Sequence, residues 1–469
     1  MSKTLAAMLL SSTLLIAPSA HAQDDVVAAL RAQITAMQAQ IDALSSRLDG
    51  VEVQTAATEQ QVAATSEAIA AVAVATTAAP VATTAAPAAP PAYSVAFRGG
   101  PEVTAPGGWS FKPRGRLQVD AGLLDAPAGI TDRSAGFGSE FRRLYLGVDG
   151  KIPGGFGYRV EADFANSTVE LTDVYLTYQA SSDVVLTVGQ MKPFWGLEEM
   201  TSDLFTSFTE RAAVNTAFGF ERRLGVAATY SKGPLLVQGG VFTDNVADLN
   251  NDENNSLSFN GRVVFAPQVA GGTLHLGGSA NVHNLNNSAT TVRYRTRPFA
   301  HTADLRFVDT GNVTAVGENG YGLELAYNRG PFHVASEYHW QHVRGGVAGT
   351  DATFDGAYIE AGLFLTQGDT VTYRGGAFDR TRPRRGIDAG GPGAWQVNLR
   401  YDTLDLTDLP VRGGTQDGYS ASLVWVPTDY TRVILNYGHL EYRDAFIALT
   451  GGGRDYSADA FGLRGQFDF

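Results

Sequence analysis

From about residue 93 onward the chain alternates apolar and polar positions with period two and rarely breaks the rhythm. Leu117/Val119/Ala121, Leu144/Leu146/Val148, Val184/Leu186/Val188, Tyr321/Leu323/Leu325 and Trp395/Val397/Leu399 are examples, and sixteen such runs can be counted. Period two marks strands with one oily and one wet face. The last run, residues 456–469, places Phe461, Leu463, Phe467 and Phe469 on one parity, with Asp459, Arg464, Gln466 and Asp468 largely on the other. A chain ending on an aromatic of its oily face suits a transmembrane barrel, whose apolar face meets lipid while the polar face lines a lumen. Tyr158, Tyr178, Tyr230, Trp340, Tyr401 and Trp425 fall at run ends, where interfacial aromatic girdles belong.

The links between runs support the count. Residues 150–155, 179–183, 231–234, 328–331 and 427–429 are short, whereas 125–140, 191–222, 283–319 and 440–455 are long. Short turns at one rim and long loops at the other are the barrel pattern. Residues 366–393 break it by being long on the short-turn side, and are expected to fold inward. The predicted body, 93–469, is therefore an all-β, sixteen-stranded antiparallel transmembrane β-barrel.

Ahead of the barrel the pattern changes. Residues 1–22 combine Lys3, an apolar run from Leu5 to Ile16, and Ala20-His21-Ala22, as in a cleaved secretory signal peptide. Over 23–55 apolar residues step by three and four (Val27, Leu30, Ile34, Met37, Ile41, Leu44, Leu48, Val51), which predicts a helical coiled coil that could contact peptidoglycan. Its β-branched and Leu or Met alternation leans toward two strands. Residues 56–92, rich in Ala, Thr and Pro, read as a linker. No later run reaches the roughly 18 apolar residues of a membrane helix.

Composition adds three points. With no Cys, neither disulfides nor thiolate metal sites are available. The net charge of −13 argues against nucleic acid. Of 35 Lys and Arg only five are Lys, leaving 30 Arg. Arginine's planar fork suits oxyanions, although a GC-rich base composition would enrich it too. No nucleophile motif, metal spacing or cofactor signature stands out, so an enzyme is not expected.

Two long links carry unusual chemistry. Residues 189–212 hold Phe194, Trp195, Leu197, Leu204, Phe205 and Phe208, too apolar for a solvated loop. Folded into the barrel they would find shelter and narrow the lumen, while folded outward they would form a lid or a latch between copies. Arg293, Arg295 and Arg297 place three guanidinium groups on one face if extended, either for a visiting anion or answered by acids such as Asp248, Asp252 and Glu253. Arg142-Arg143 and, more readily, Arg222-Arg223 could also be wall charges paired with Glu161, Asp163 or Glu324.

Several of these stretches together carry a resemblance: residues 109–118, Phe141-Arg-Arg-Leu-Tyr-Leu146, the loop around Gly196-Leu-Glu-Glu199 and Glu210-Arg211, the Arg293/Arg295/Arg297 triplet, and Arg400-Tyr-Asp402. From about residue 109 to 469 the chain resembles the phosphate-selective porin O and P family of Gram-negative outer membranes. The resemblance implies a homotrimer embedded in the bilayer and its lipopolysaccharide, each barrel constricted by its third and fifth loops and passing phosphate or other small anions. It assigns Arg142, Arg143 and Arg211 to the constriction and Arg293, Arg295 and Arg297 to a descending ladder. Arg116 and Lys112 fall to the exit, and Arg382 to the inward segment. The constriction loop would carry Phe194, Trp195 and Glu199, with Asp173 beside it. Two positions depart from the family pattern: Thr172 where an aspartate is usual, directly before Asp173, and Glu199 in place of a lysine. Competing readings are a porin for another solute such as acidic sugars, with Phe194 and Trp195 stacking on rings, and a plugged barrel that tethers the envelope.

Overall fold

A computed structural model describes residues 93–97, 99–130, 132, 134–165, 168–249, 256–285, 290–345 and 349–469. The expected signal peptide, coiled coil and linker, and the acids Asp252 and Glu253, lie outside the described residues.

Sixteen antiparallel strands form the barrel: β1 (Trp109–Asp125), β2 (Gly136–Ile152), β3 (Phe156–Asp163), β4 (Glu170–Gln179), β5 (Val184–Met191), β6 (Arg223–Lys232), β7 (Leu235–Phe242) and β8 (Leu257–Phe265). They continue as β9 (Gly272–Asn284), β10 (Gly317–Arg329), β11 (Phe332–Arg344), β12 (Ala352–Phe364), β13 (Ala394–Asp408), β14 (Val411–Thr428), β15 (Thr431–Arg443) and β16 (Tyr456–Asp468). Each pairs with its neighbour, and β16 closes on β1 with Phe461 opposite Leu123 and Arg464 opposite Asp120. Closure leaves no open edge within the barrel, so every strand's backbone groups can be satisfied without water.

The parity reading holds around the wall. Val226, Leu323, Leu399, Leu435, Phe461 and Leu463 face outward and are exposed, while Gln118, Asp120, Arg262, His339, Asn398 and Arg464 face inward and are buried. One residue moves: Asp459 belongs to the outward parity, where its carboxylate accepts bonds from Tyr437 Oη (2.8 Å) and His439 Nδ1 (2.9 Å). A hairpin that the sequence reading did not separate, Ser94–Phe97 against Pro101–Ala105, extends the sheet from β1 through the pairing of Val103 with Phe111.

The lumen is filled by loops. Residues 192–222, the third long loop (L3), and residues 290–316 of the fifth (L5) turn into the barrel. There Leu197, Ala213, Val214 and Phe218 of L3 pack with Phe299, Leu305, Phe307 and Val308 of L5 and with Phe354, Leu404 and Tyr442 of the wall. Wall glycines make the room: a Cβ on Gly320 would meet Trp195 at 2.8 Å, and one on Gly418 would meet Phe299 at 2.8 Å. Residues 365–393 also turn inward. Tyr373 Oη meets His275 Nδ1 (2.6 Å), Arg262 donates to the Gly376 carbonyl (2.8 Å), and the Phe378 N–H donates to Thr201 Oγ1 of L3 (3.3 Å).

A charged passage between the third loop and the wall

Within L3, Gly196 takes a positive φ of 54° and leads into a one-turn helix, α1 (Leu197–Met200). The Glu337 carboxylate of β11 receives the N–H groups of Leu197 (2.5 Å) and Glu198 (2.9 Å), which α1 itself leaves without partners. It also accepts from Asn215 of the second helix α2 (Ala213–Phe218) at 3.1 Å and from Tyr358 Oη at 2.8 Å. Arg400 of β13 adds bonds to Glu198 (2.5 Å), Glu360 (2.6 Å) and the Glu210 carbonyl (3.2 Å), with its guanidinium 4.2 Å from the Phe208 ring centre. L3 is thus fastened on its β11–β13 side by a buried network in which one guanidinium, two backbone amides and neutral donors hold three carboxylates.

Its other side faces β1–β6 across open space. Arg142 and Arg143 are neighbours in β2, so regular pleating would send one outward. A bulge opposite Gln118 and Val119 turns both inward. Arg142 bonds Glu210 (3.1 and 3.3 Å), and Arg143 bonds Asp203 (2.6 Å) and Gln118 (2.9 Å). Their partners are therefore L3 acids rather than Glu161, Asp163 or Glu324. Glu161 instead pairs with Arg114 (3.0 Å) and Glu324 with Arg262 (2.6 Å). A second bulge, in β4 opposite Glu161, brings in both Thr172 and Asp173. Thr172 donates to Glu161 (3.2 Å), and Asp173 pairs with Arg222 (2.8 Å) and Arg159 (3.5 Å).

One arrangement repeats, in which a carboxylate is shared by two cations. Asp203 lies between Arg116 and Arg143, Glu210 between Arg142 and Arg464, and Glu199 between Lys192 (2.5 Å) and Arg211 (3.3 Å). Burial alone would raise the Asp203 carboxyl, but Arg116 and Arg143 hold it well below the ordinary range. Burial, reinforced by the like charge of Arg211, pushes Lys192 down to about 8.

Three cavities run along this side. The largest, about 650 Å³, lies toward the short-turn rim, and Lys112, Arg116, Phe194, Glu199, Asp173 and Arg382 all contribute to its wall. Its lining holds eight cations against five side-chain carboxylates. A middle cavity of about 380 Å³ is walled by Arg142, Arg143 and Arg211 with Glu199, Asp203 and Glu210, so it shares two acids with the first. An outer cavity of about 280 Å³ shares Phe220 and Glu221 with the middle one and reaches Arg293.

The sequence-predicted residues divide accordingly. Arg142, Arg143 and Arg211 come together in one cavity, and Lys112, Arg116 and Arg382 in the next, where Arg382 pairs with Asp429 (2.5 Å). Of the L5 triplet only Arg293 reaches a cavity, and it is held by Asp309 (2.6 Å). Arg297 pairs with Asp304 (3.0 Å), which also takes Arg306 (3.3 Å). Arg293 and Arg297 are therefore answered by acids of their own loop, and Arg295 is exposed. Trp195 is fully buried against Phe220 and His339, with centroids 5.2 and 4.9 Å away, so it cannot stack on a passing sugar. The sequence reading missed Asp203, Lys192, Arg159 and Arg464. Of these, Arg464 and Arg159 carried a signal, their inward parity between outward-facing apolar neighbours in their strands.

Residues 111–469 match the family described as phosphate-selective porin O and P. The chain belongs to this family. An uncharacterized protein of Caulobacter vibrioides is 44% identical over 80% of this chain and 77% of its own length. Porin O of Pseudomonas aeruginosa is 25% identical over 80% of this chain and 92% of its own. Among solved structures, an anion-selective porin from Comamonas acidovorans covers 77% of this chain with all of its own, at a TM-score of 0.51 and 12% identity, a likeness of fold. Family and fold together make this a porin channel of the outer membrane.

Proposed function

We propose that the passage between L3 and the β1–β6 wall conducts small anions in preference to cations, with phosphate favoured as the family description suggests. The observation that carries the reading is the surplus of cations in the large cavity, eight against five side-chain carboxylates, with each acid of the waist serving two bases. An ion entering a narrow lumen loses hydration, and a row of guanidinium donors replaces it stepwise. Because the cations of the waist already share carboxylates, no single site there holds the ion fully, which favours release as much as capture. Arg142, Arg143 and Arg211 form the waist, Lys112, Arg116 and Arg382 the exit, and Arg293, Arg295 and Arg297 the approach. Glu199 and Asp173 temper the positive field. The same reading includes export by the signal peptide, a homotrimer, and a coiled coil reaching toward peptidoglycan.

Reversal potentials in planar bilayers test it: chloride and phosphate should permeate ahead of potassium, and a cation preference would overturn it.

A further inference from the structure

The outer cavity differs from the two below it in which charges are left free. It lies toward the long-loop rim, between the end of L3, residues 244–248 and L5. Two of its three guanidinium groups are committed, Arg222 to Asp173 and Arg293 to Asp309. Arg223 makes no hydrogen bond or ion pair, alone among the guanidinium groups lining the described cavities, and its Nη1 is buried without a partner. It lies over the Phe220 ring at 5.4 Å. On the acidic side, Asp244 is held by Ser256, and Glu318 by His283 (2.9 Å) and Tyr294. Glu221 and Asp248 line the same space and are exposed, and their carboxylates make no hydrogen bond or ion pair among the described residues.

One free guanidinium therefore faces two free carboxylates in about 280 Å³, just under the roughly 300–1,000 Å³ typical of drug-sized ligands. A doubly charged phosphate bound to Arg223 would confront both carboxylates. A solute with a carboxylate and an ammonium a few bonds apart would give the guanidinium a partner and set one ammonium between the two carboxylates, leaving one net negative charge where a bound phosphate would leave three. We propose that this outer cavity is a binding station for small amino-acid-like zwitterions, with the carboxylate on Arg223 and the ammonium between Glu221 and Asp248. This rests on the channel reading for its transport role, but binding itself can be measured without current.

The test adds L-alanine, acetate and inorganic phosphate to the long-loop side of single channels in planar bilayers, and titrates L-alanine into the purified full chain by calorimetry. Alanine should interrupt the wild-type current at lower concentration than acetate. Arg223→Gln should raise alanine's half-blocking concentration about tenfold, the loss expected for one charge-assisted bond, with Arg223→Lys intermediate. Glu221→Gln combined with Asp248→Asn should invert the order, so that acetate blocks better than alanine. Acetate matching alanine in the wild type, or variants that leave the order unchanged, would overturn the station. A barrel that passes no current refutes the channel reading, and calorimetry then decides the station: alanine heat present in wild type and lost in Arg223→Gln supports it, and no heat removes it.

Discussion

The two flanks of L3 use the same residue types to opposite ends. Toward β11–β13, Arg400, Glu198, Glu360 and Glu337 are buried, multiply bonded and adjoin none of the three passage cavities. Toward β1–β6, Arg142, Arg143, Arg211, Glu199 and Asp203 are also paired, yet they border open space, which carries an excess of cations in the large cavity although not in the middle one, where three cations meet four acids. An arginine in a barrel lumen is thus not by itself a solute ligand. What separates a fastening from a site is the unfilled volume beside it and the balance of charge around that volume.

The sharpest way to break this comparison is at the fastening. Arg400→Met leaves Glu198 and Glu360 buried without their guanidinium, a loss of about 3–5 kcal/mol. Loosened L3 should show as protease cleavage within residues 192–222 and as noisier, larger conductance, whereas an intact loop would mean that the network is not what holds it. Next in size, Leu399→Arg places a charge on the lipid face, where Leu399 is 67% exposed. It should cost about 2–4 kcal/mol if that strand position is near the bilayer midplane, read as a lower urea midpoint for refolding into lipid, with selectivity unchanged.

On the passage flank the effects shrink. Arg211→Ala should lower the anion-to-cation permeability ratio roughly two- to fivefold, the scale of one partly screened charge, and Glu199→Gln should raise it similarly. If both leave it unchanged, the waist is elsewhere. The smallest effect is in pH. Lys192, depressed to about 8, is cationic below that value and neutral above it, so raising pH from 7 to 9 removes one positive charge beside Glu199, Arg211 and Arg222. Anion selectivity should fall by roughly twofold or less across that window, and Lys192→Arg should flatten the change.

The barrel was legible because lipid on one side and water on the other impose period two on every strand, so strand number, link lengths and the inward turn of residues 365–393 all followed. The bulges at Arg142 and at Thr172–Asp173 were not, since an inserted residue in a strand looks like any other until its partner is known. The charge pairs of the waist were hidden for a related reason. Arg116 and Asp203 are 87 positions apart and meet only because L3 folds in. The Arg293/Arg295/Arg297 spacing did predict a shared face, with Arg293 and Arg295 exposed beside buried Tyr294 and Thr296, but not the local acids that answer Arg293 and Arg297.

The Glu337 anchor grips L3 through the amides of Leu197 and Glu198 rather than through their side chains. Those two bonds are blind to the side chains on the passage-facing part of the loop. Substitutions along the passage-facing stretch can therefore retune what the pore admits without unseating the segment that forms it, which gives this barrel a variable eyelet on a fixed mount.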